Sequence, residues 1–98
     1  MNKRQWIVLC LLATGGVMQA QQWPDTPVEA RPGARWWWLG SAVDEKNLTY
    51  NLEEYARTGM GAVEITPIYG VQGNDANDIQ FLSPRWMEML KHTQAEGK

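Results

Sequence analysis

The chain has 98 residues, enough for one small domain, and six of those residues are tryptophan. Nine basic residues against eleven acidic ones give a formal net charge of −2, and basic residues form no block. This balance argues against nucleic acid as a partner. Cys10 is the single cysteine, so the chain can form no internal disulfide and offers no thiolate cluster for a metal ion.

Residues 1–20 have the pattern of a bacterial export signal. Lys3 and Arg4 form a positive start, residues 6–18 are apolar, and Ala20 offers a small side chain for cleavage. The apolar run is shorter than the roughly 20 residues that span a bilayer. We expect a periplasmic or secreted protein, without membrane attachment once residues 1–20 are removed. Removal of two of the nine basic residues leaves seven against eleven acidic ones, a formal charge of −4.

Residues 21–33 contain three prolines and no periodicity, which predicts an extended leader. Residues 35–39 then have the aromatic density of a buried strand. Side chains alternate along a strand, so Arg35, Trp37 and Leu39 should share one face, while Trp36 and Trp38 share the other.

Residues 44–58 have helical periodicity, with an apolar stripe made of Leu48, Leu52, Tyr55 and Ala56. Either Ser41 or Asp44 can cap the amino end of this helix. Gly59 can take the left-handed conformation that ends it. On the polar face, Glu53 and Arg57 are spaced for an ion pair one turn apart.

The second strand is predicted at residues 62–66, stopped by Pro67. Val63 and Ile65 should share one face, and Glu64 and Thr66 the other. A connection of fifteen residues at 68–82 follows, longer than most loops of this kind and therefore a candidate for function.

The sequence Ser83-Pro84 marks the start of a second helix, and Gly97 fits its end. Trp86, Met87 and Leu90 are expected to share one face of this helix.

Glu64 is the candidate site residue with the clearest physical argument. A carboxylate on a strand that should be buried is costly unless it is paired. In a closed barrel of alternating strands and helices, Glu64 and Thr66 would point into the lumen near the carboxyl end, where the active sites of such barrels lie. The alternative is a structural ion pair with Arg35 on the neighbouring strand.

Aromatic residues provide the other candidates. A tryptophan near the carboxyl end of the first strand, Trp37 or Trp38, offers a flat apolar face suited to the C–H face of a sugar ring. Tyr69 begins the long loop, where its hydroxyl group could reach a ligand. A packing role is the alternative for each.

Polar groups elsewhere give weaker signals. Oxygen-bearing residues cluster in the long loop, but their order matches no EF-type calcium loop, and no metal site is assigned; they are Asn74, Asp75, Asn77 and Asp78. His92 is expected to be exposed. No phosphate-binding loop, nucleophile elbow or zinc spacing occurs in the sequence.

Two segments, ARWWWLG at residues 34–40 and GAVEITPIYG at residues 61–70, resemble the start of the catalytic region of glycoside hydrolase family 106, the α-L-rhamnosidase-type enzymes. The resemblance extends from about residue 32 to residue 98. The order of the elements agrees as well: a leader, an RWWW strand, a helix and a GxxEITPIYG strand that feeds a loop. A Leu39-Gly40 pair stands where many relatives have Pro-Gly.

The resemblance implies an α/β fold in which residues 34–98 form the first two βα units of a (β/α)8 barrel. It implies an exported enzyme that hydrolyses L-rhamnosides of plant polysaccharides, such as pectic rhamnogalacturonans, by an inverting mechanism. The acid and base would lie beyond this chain, so residues 1–98 alone should be inactive. Trp37, Trp38, Glu64 and Tyr69 would border the sugar, and calcium would be a family cofactor with no ligands assigned here.

A different class of function also fits the same residues. The tryptophan-rich strand could serve a non-catalytic, exported module that binds carbohydrate.

Overall fold

A computed structural model describes residues 2–5 and 20–98. The main elements, in chain order, are β1 (Gly33–Leu39), α1 (Glu45–Arg57), β2 (Ala62–Ile68) and α2 (Pro84–Glu96). The apolar residues on which the export signal is predicted lie outside the described residues. None of the helices in the described part of the chain has the length and apolarity needed to cross a bilayer.

The two strands pair in parallel, in a register that runs from Gly33 opposite Ala62 to Leu39 opposite Ile68. Strand β1 is two residues longer at its start than predicted, because pairing with β2 draws in Gly33 and Ala34, which have little strand preference of their own. The leader is also not extended throughout, since Val28–Ala30 form a 3₁₀ turn.

Strand β2 continues through Pro67 to Ile68, so the prediction that Pro67 ends it is wrong. Proline has no N–H to donate, but the bond that closes this end of the strand pair uses a carbonyl oxygen of β2 as its acceptor and does not need that N–H. Beyond Pro67 the pairing resumes, because the N–H of Gly40 donates to the carbonyl oxygens of Ile68 and Tyr69 at 2.9 and 3.1 Å.

Helix α1 begins as predicted, with Asp44 as its cap. The Asp44 carboxylate accepts from the Asn47 backbone N–H at 2.9 Å, and this bond is the main reason that the pKa of Asp44 lies below its ordinary value. Gly59 follows the helix with a φ of +91°, the left-handed conformation predicted for it. Arg57 pairs with Glu54 at 2.6 Å, three residues away, instead of the predicted Glu53.

Helix α2 begins at the predicted position, where the Ser83 hydroxyl oxygen accepts from the Trp86 backbone N–H at 3.3 Å. Its buried residues are Trp86, Met89 and Thr93. Trp86 and Leu90 pack on the core, but Met87 is exposed, so the prediction that Met87 shares their face is wrong. Thr93 can be buried because its hydroxyl group donates to the Met89 carbonyl oxygen at 2.8 Å.

Both helices pack on the same face of the sheet. The core between them and the strands consists of Trp36, Trp38, Leu48, Trp86 and Met89. Its aromatic rings meet edge to face, with centroids 5.9 Å apart for Trp36 and Trp38 and 6.0 Å apart for Trp38 and Trp86.

An ion pair also joins the helices, since Arg85 of α2 donates to both carboxylate oxygens of Glu45 of α1, at 2.8 and 3.1 Å. Hydrogen bonding to this guanidinium group is the largest cause of the lowered pKa of Glu45.

Candidate functional site

In the described part of the chain the sheet has one covered and one open face, and the open face carries two of the four predicted site residues, Trp37 and Glu64. The register places its side chains in three pairs across the two strands, and we call this surface the open face: Arg35 with Glu64, Trp37 with Thr66, and Leu39 with Ile68. Trp37 is 61% exposed and Leu39 is 42% exposed. The alternation predicted for both strands is therefore confirmed.

Glu64 lies on this face as predicted, and it also makes the ion pair that was the alternative. Its carboxylate lies 3.5 Å from the guanidinium group of Arg35, and both side chains are mostly exposed. Such an exposed pair contributes little to stability, from nothing to about 1 kcal/mol.

The extension of β2 changes the depth of Glu64. It is the third residue of a seven-residue strand, four residues before Ile68. At about 3.3 Å per residue, Glu64 lies roughly 13 Å from the carboxyl end of the strand, instead of near that end. Trp37 and Thr66 lie one pair closer to the end.

The tryptophans separate as strand geometry requires. Trp38 is 1% exposed beneath the helices, so the structure does not bring it together with Trp37, Glu64 and Tyr69. Its indole Nε1 is buried, and no group among residues 2–5 and 20–98 forms a hydrogen bond with it. Tyr69 directly follows β2 and is 85% exposed.

A tight turn forms where β1 ends. Gly40 and Ser41 both have positive φ, +61° and +48°, and the Ala42 N–H donates to the Leu39 carbonyl oxygen at 3.2 Å. These are the features of a type I′ turn, in which a serine is strained. The buried Ser41 hydroxyl oxygen accepts from the Trp86 indole N–H at 3.0 Å. The sequence indicated Ser41 only as a possible helix cap and missed this bond.

The long loop packs against that turn and forms an open groove across the carboxyl end of the sheet. We call it the end groove; its lining comes from the turn, the end of β2 and the loop, as Gly40, Ser41, Pro67, Ile68, Tyr69, Gly70, Asp78, Ile79, Gln80 and Phe81. No basic side chain lines it. The acidic side chain in its lining belongs to Asp78, which the sequence indicated only as one of the oxygen-bearing residues of the long loop.

Within residues 2–5 and 20–98, no three side chains of His, Cys, Asp or Glu come close enough together to hold a metal ion. No calcium ligands can therefore be named here. His92, predicted to be exposed, is half-buried and forms a hydrogen bond of 2.8 Å with the Thr49 hydroxyl group, which joins α2 to α1.

The open face and the end groove together offer aromatic surface, hydroxyl groups and carboxylates, which are groups that bind neutral polar ligands. Neither region contains an assembled acid–base pair or nucleophile. Comparisons of this chain with models of protein families, with characterised proteins and with solved structures find no match.

Proposed function

We propose that this chain forms the first two βα units of a (β/α)8 barrel in an exported glycoside hydrolase that acts on L-rhamnosides. The observation that carries the proposal is the asymmetry of the sheet. Both helices pack on one face, as in the outer ring of such a barrel, while the other face keeps an aromatic ring and an ion pair in the position of the lumen.

The three side-chain pairs of the open face support this interpretation. The interior of such barrels is filled by side chains in three layers. Here the deepest pair is charged, the middle pair contains Trp37, and the pair at the carboxyl end, Leu39 and Ile68, is aliphatic. In the proposal these pairs form the floor of the sugar site, and the end groove with Tyr69 forms its wall.

Glu64 would act on the reaction through its charge. Hydrolysis of a glycoside passes through a transition state with positive charge on the sugar ring. If the sugar ring lies at the carboxyl end of the strands, about 13 Å from the Glu64 carboxylate, that carboxylate stabilises the charge by about 1 kcal/mol at an effective dielectric constant of about 20, which is roughly a fivefold effect on rate. Arg35 opposes this effect and would reduce it.

Two substitutions separate this role from a purely structural ion pair. In the full-length protein encoded by the gene, Glu64→Gln should lower kcat on an aryl α-L-rhamnoside about fivefold, whereas Arg35→Gln should leave kcat unchanged or raise it. Glu53→Gln, on the exposed face of α1, is the matched control. If Glu64→Gln and Arg35→Gln lower thermal stability equally and leave kcat unchanged, the structural role is correct.

A carbohydrate-binding module without catalysis is the second candidate, favoured by the exposure of Trp37 and Tyr69. Both candidates predict that Trp37→Ala weakens binding of rhamnogalacturonan oligosaccharides more than Trp23→Ala, a change at a fully exposed leader residue. Only the hydrolase releases rhamnose from them.

A further inference from the structure

We infer that Asp78 binds adjacent hydroxyl groups of the sugar in the end groove, as an acceptor for two hydrogen bonds. This inference rests on the proposed function and adds a binding residue to it. Its starting observation is the position of the Asp78 carboxylate, which lies against two glycines, Gly40 after β1 and Gly70 after β2. An added Cβ atom at either glycine would collide with that carboxylate; at Gly70 it would lie 2.5 Å from Oδ2.

The backbone around Asp78 is held in place from both sides. The Ile79 N–H donates to the Gly40 carbonyl oxygen at 3.0 Å, and the Asp78 N–H donates to the Asp75 carbonyl oxygen at 3.1 Å. Because Gly40 also pairs with the end of β2, the backbone that carries Asp78 is held close to the carboxyl ends of both strands. That end is where barrel enzymes bind their substrates.

The carboxylate has free capacity for a ligand. No hydrogen bond or ion pair of the described residues ends on the Asp78 side chain, which is exposed. An ionised carboxylate accepts hydrogen bonds at both oxygens, a geometry that matches two neighbouring hydroxyl groups. The groove has no basic side chain that would attract an anion, and the rings of Tyr69 and Phe81 offer apolar surface beside it. These features favour a neutral sugar.

The test measures, by calorimetry, the affinity of the full-length protein encoded by the gene for L-rhamnose and for its 3-deoxy analogue. A rhamnoside has free hydroxyl groups at C2, C3 and C4, so the 3-deoxy analogue lacks one member of either adjacent pair. Asp78→Ala should weaken L-rhamnose binding about tenfold or more and should bring the two sugars closer in affinity, since one of the paired hydroxyl groups is missing from the analogue. Asp75→Asn, in the same loop, should leave both affinities unchanged. The thermal midpoint of each variant shows whether the fold is kept.

Gly70→Ala provides a second, independent test of the same role, because the added methyl group displaces the Asp78 carboxylate without removing it. Gly70 is not in the left-handed region, so alanine fits its backbone. This change should weaken L-rhamnose binding in the wild-type background and have no further effect in Asp78→Ala.

The outcomes separate the two proposals. A wild-type protein that binds and hydrolyses rhamnosides, with an Asp78→Ala variant that keeps the wild-type affinity for each of the two sugars, overturns the role of Asp78 alone. A wild-type protein that neither binds L-rhamnose nor hydrolyses rhamnosides overturns the proposed function and the inference with it. Equal weakening for L-rhamnose and its analogue, with a lowered thermal midpoint, assigns Asp78 to structure and also overturns the inference.

Discussion

Replacement of Ser41 by alanine should destabilise the fold more than any surface substitution, because it leaves the Trp86 indole N–H buried without an acceptor. The 3.0 Å bond from that N–H is the polar link between the β1 turn and α2. A buried donor that loses its partner costs about 1–3 kcal/mol. Ser41→Gly loses the same bond, but glycine relieves the strain of a positive φ, worth about 1 kcal/mol, so it should be the milder change.

Urea unfolding followed by tryptophan fluorescence measures these differences, and a double-mutant cycle with Trp86→Phe isolates the bond. The cycle should give a coupling free energy of about 1 kcal/mol between Ser41 and Trp86. Thr26→Ala, at an exposed leader residue, is the matched control and should change the free energy of unfolding by less than about 0.5 kcal/mol. The reasoning would be refuted if Ser41→Ala changed the free energy of unfolding by less than about 0.5 kcal/mol, or if the coupling free energy between Ser41 and Trp86 were near zero.

Three further predictions concern other parts of the fold. Lowering the pH should weaken α1, because the folded-state pKa values of Asp44 and Glu45 lie below their ordinary values. The stabilisation that these two carboxylates give to the helix is complete above about pH 5 and is lost below about pH 4, where they become protonated. Amide exchange in α1 against pH would show this, and an exchange rate independent of pH from 6 to 3, after correction for intrinsic chemistry, would contradict it. Gly59→Ala should cost about 1–2 kcal/mol of unfolding free energy from backbone strain alone, since no atom lies within 4 Å of an added Cβ; unchanged urea midpoints would argue against this. Trp37→Ser should reduce the self-association of purified residues 21–98 in light scattering, and Trp23→Ser should reduce it less. Equal effects would mean that the open face does not drive association.

Local chemistry in the sequence accounts for much of this fold. The alternation along residues 35–39 separated Trp36 and Trp38 from Trp37, since period-two geometry leaves no other arrangement, but it did not indicate which of the two faces the helices cover. Asp44, Gly59 and Ser83 mark helix ends through backbone groups only a few residues away. Such signals depend on short stretches of chain and can be identified from sequence.

Contacts between distant segments could not be predicted in the same way. The buried face of α2 includes Met89 instead of Met87, because Trp86 is fixed by a bond to Ser41, 45 residues away along the chain. Pro67 stays in its strand because Gly40, distant along the chain, donates to the Ile68 carbonyl oxygen just beyond it. The position of Asp78 depends on the path of a long loop, which the local sequence does not determine. Two glycines at the strand ends, Gly40 and Gly70, were nevertheless a sequence signal that another group packs against the backbone there.

Release of rhamnose, observed by time-resolved proton NMR, tests the central proposal most directly. The full-length protein encoded by the gene is incubated with an aryl α-L-rhamnoside, and the anomeric signals of free rhamnose are followed from the first minutes. An inverting hydrolase with this open face as its lumen wall should release β-L-rhamnose first, more slowly in Glu64→Gln. No release, or α-L-rhamnose as the first product, would contradict the proposed reaction.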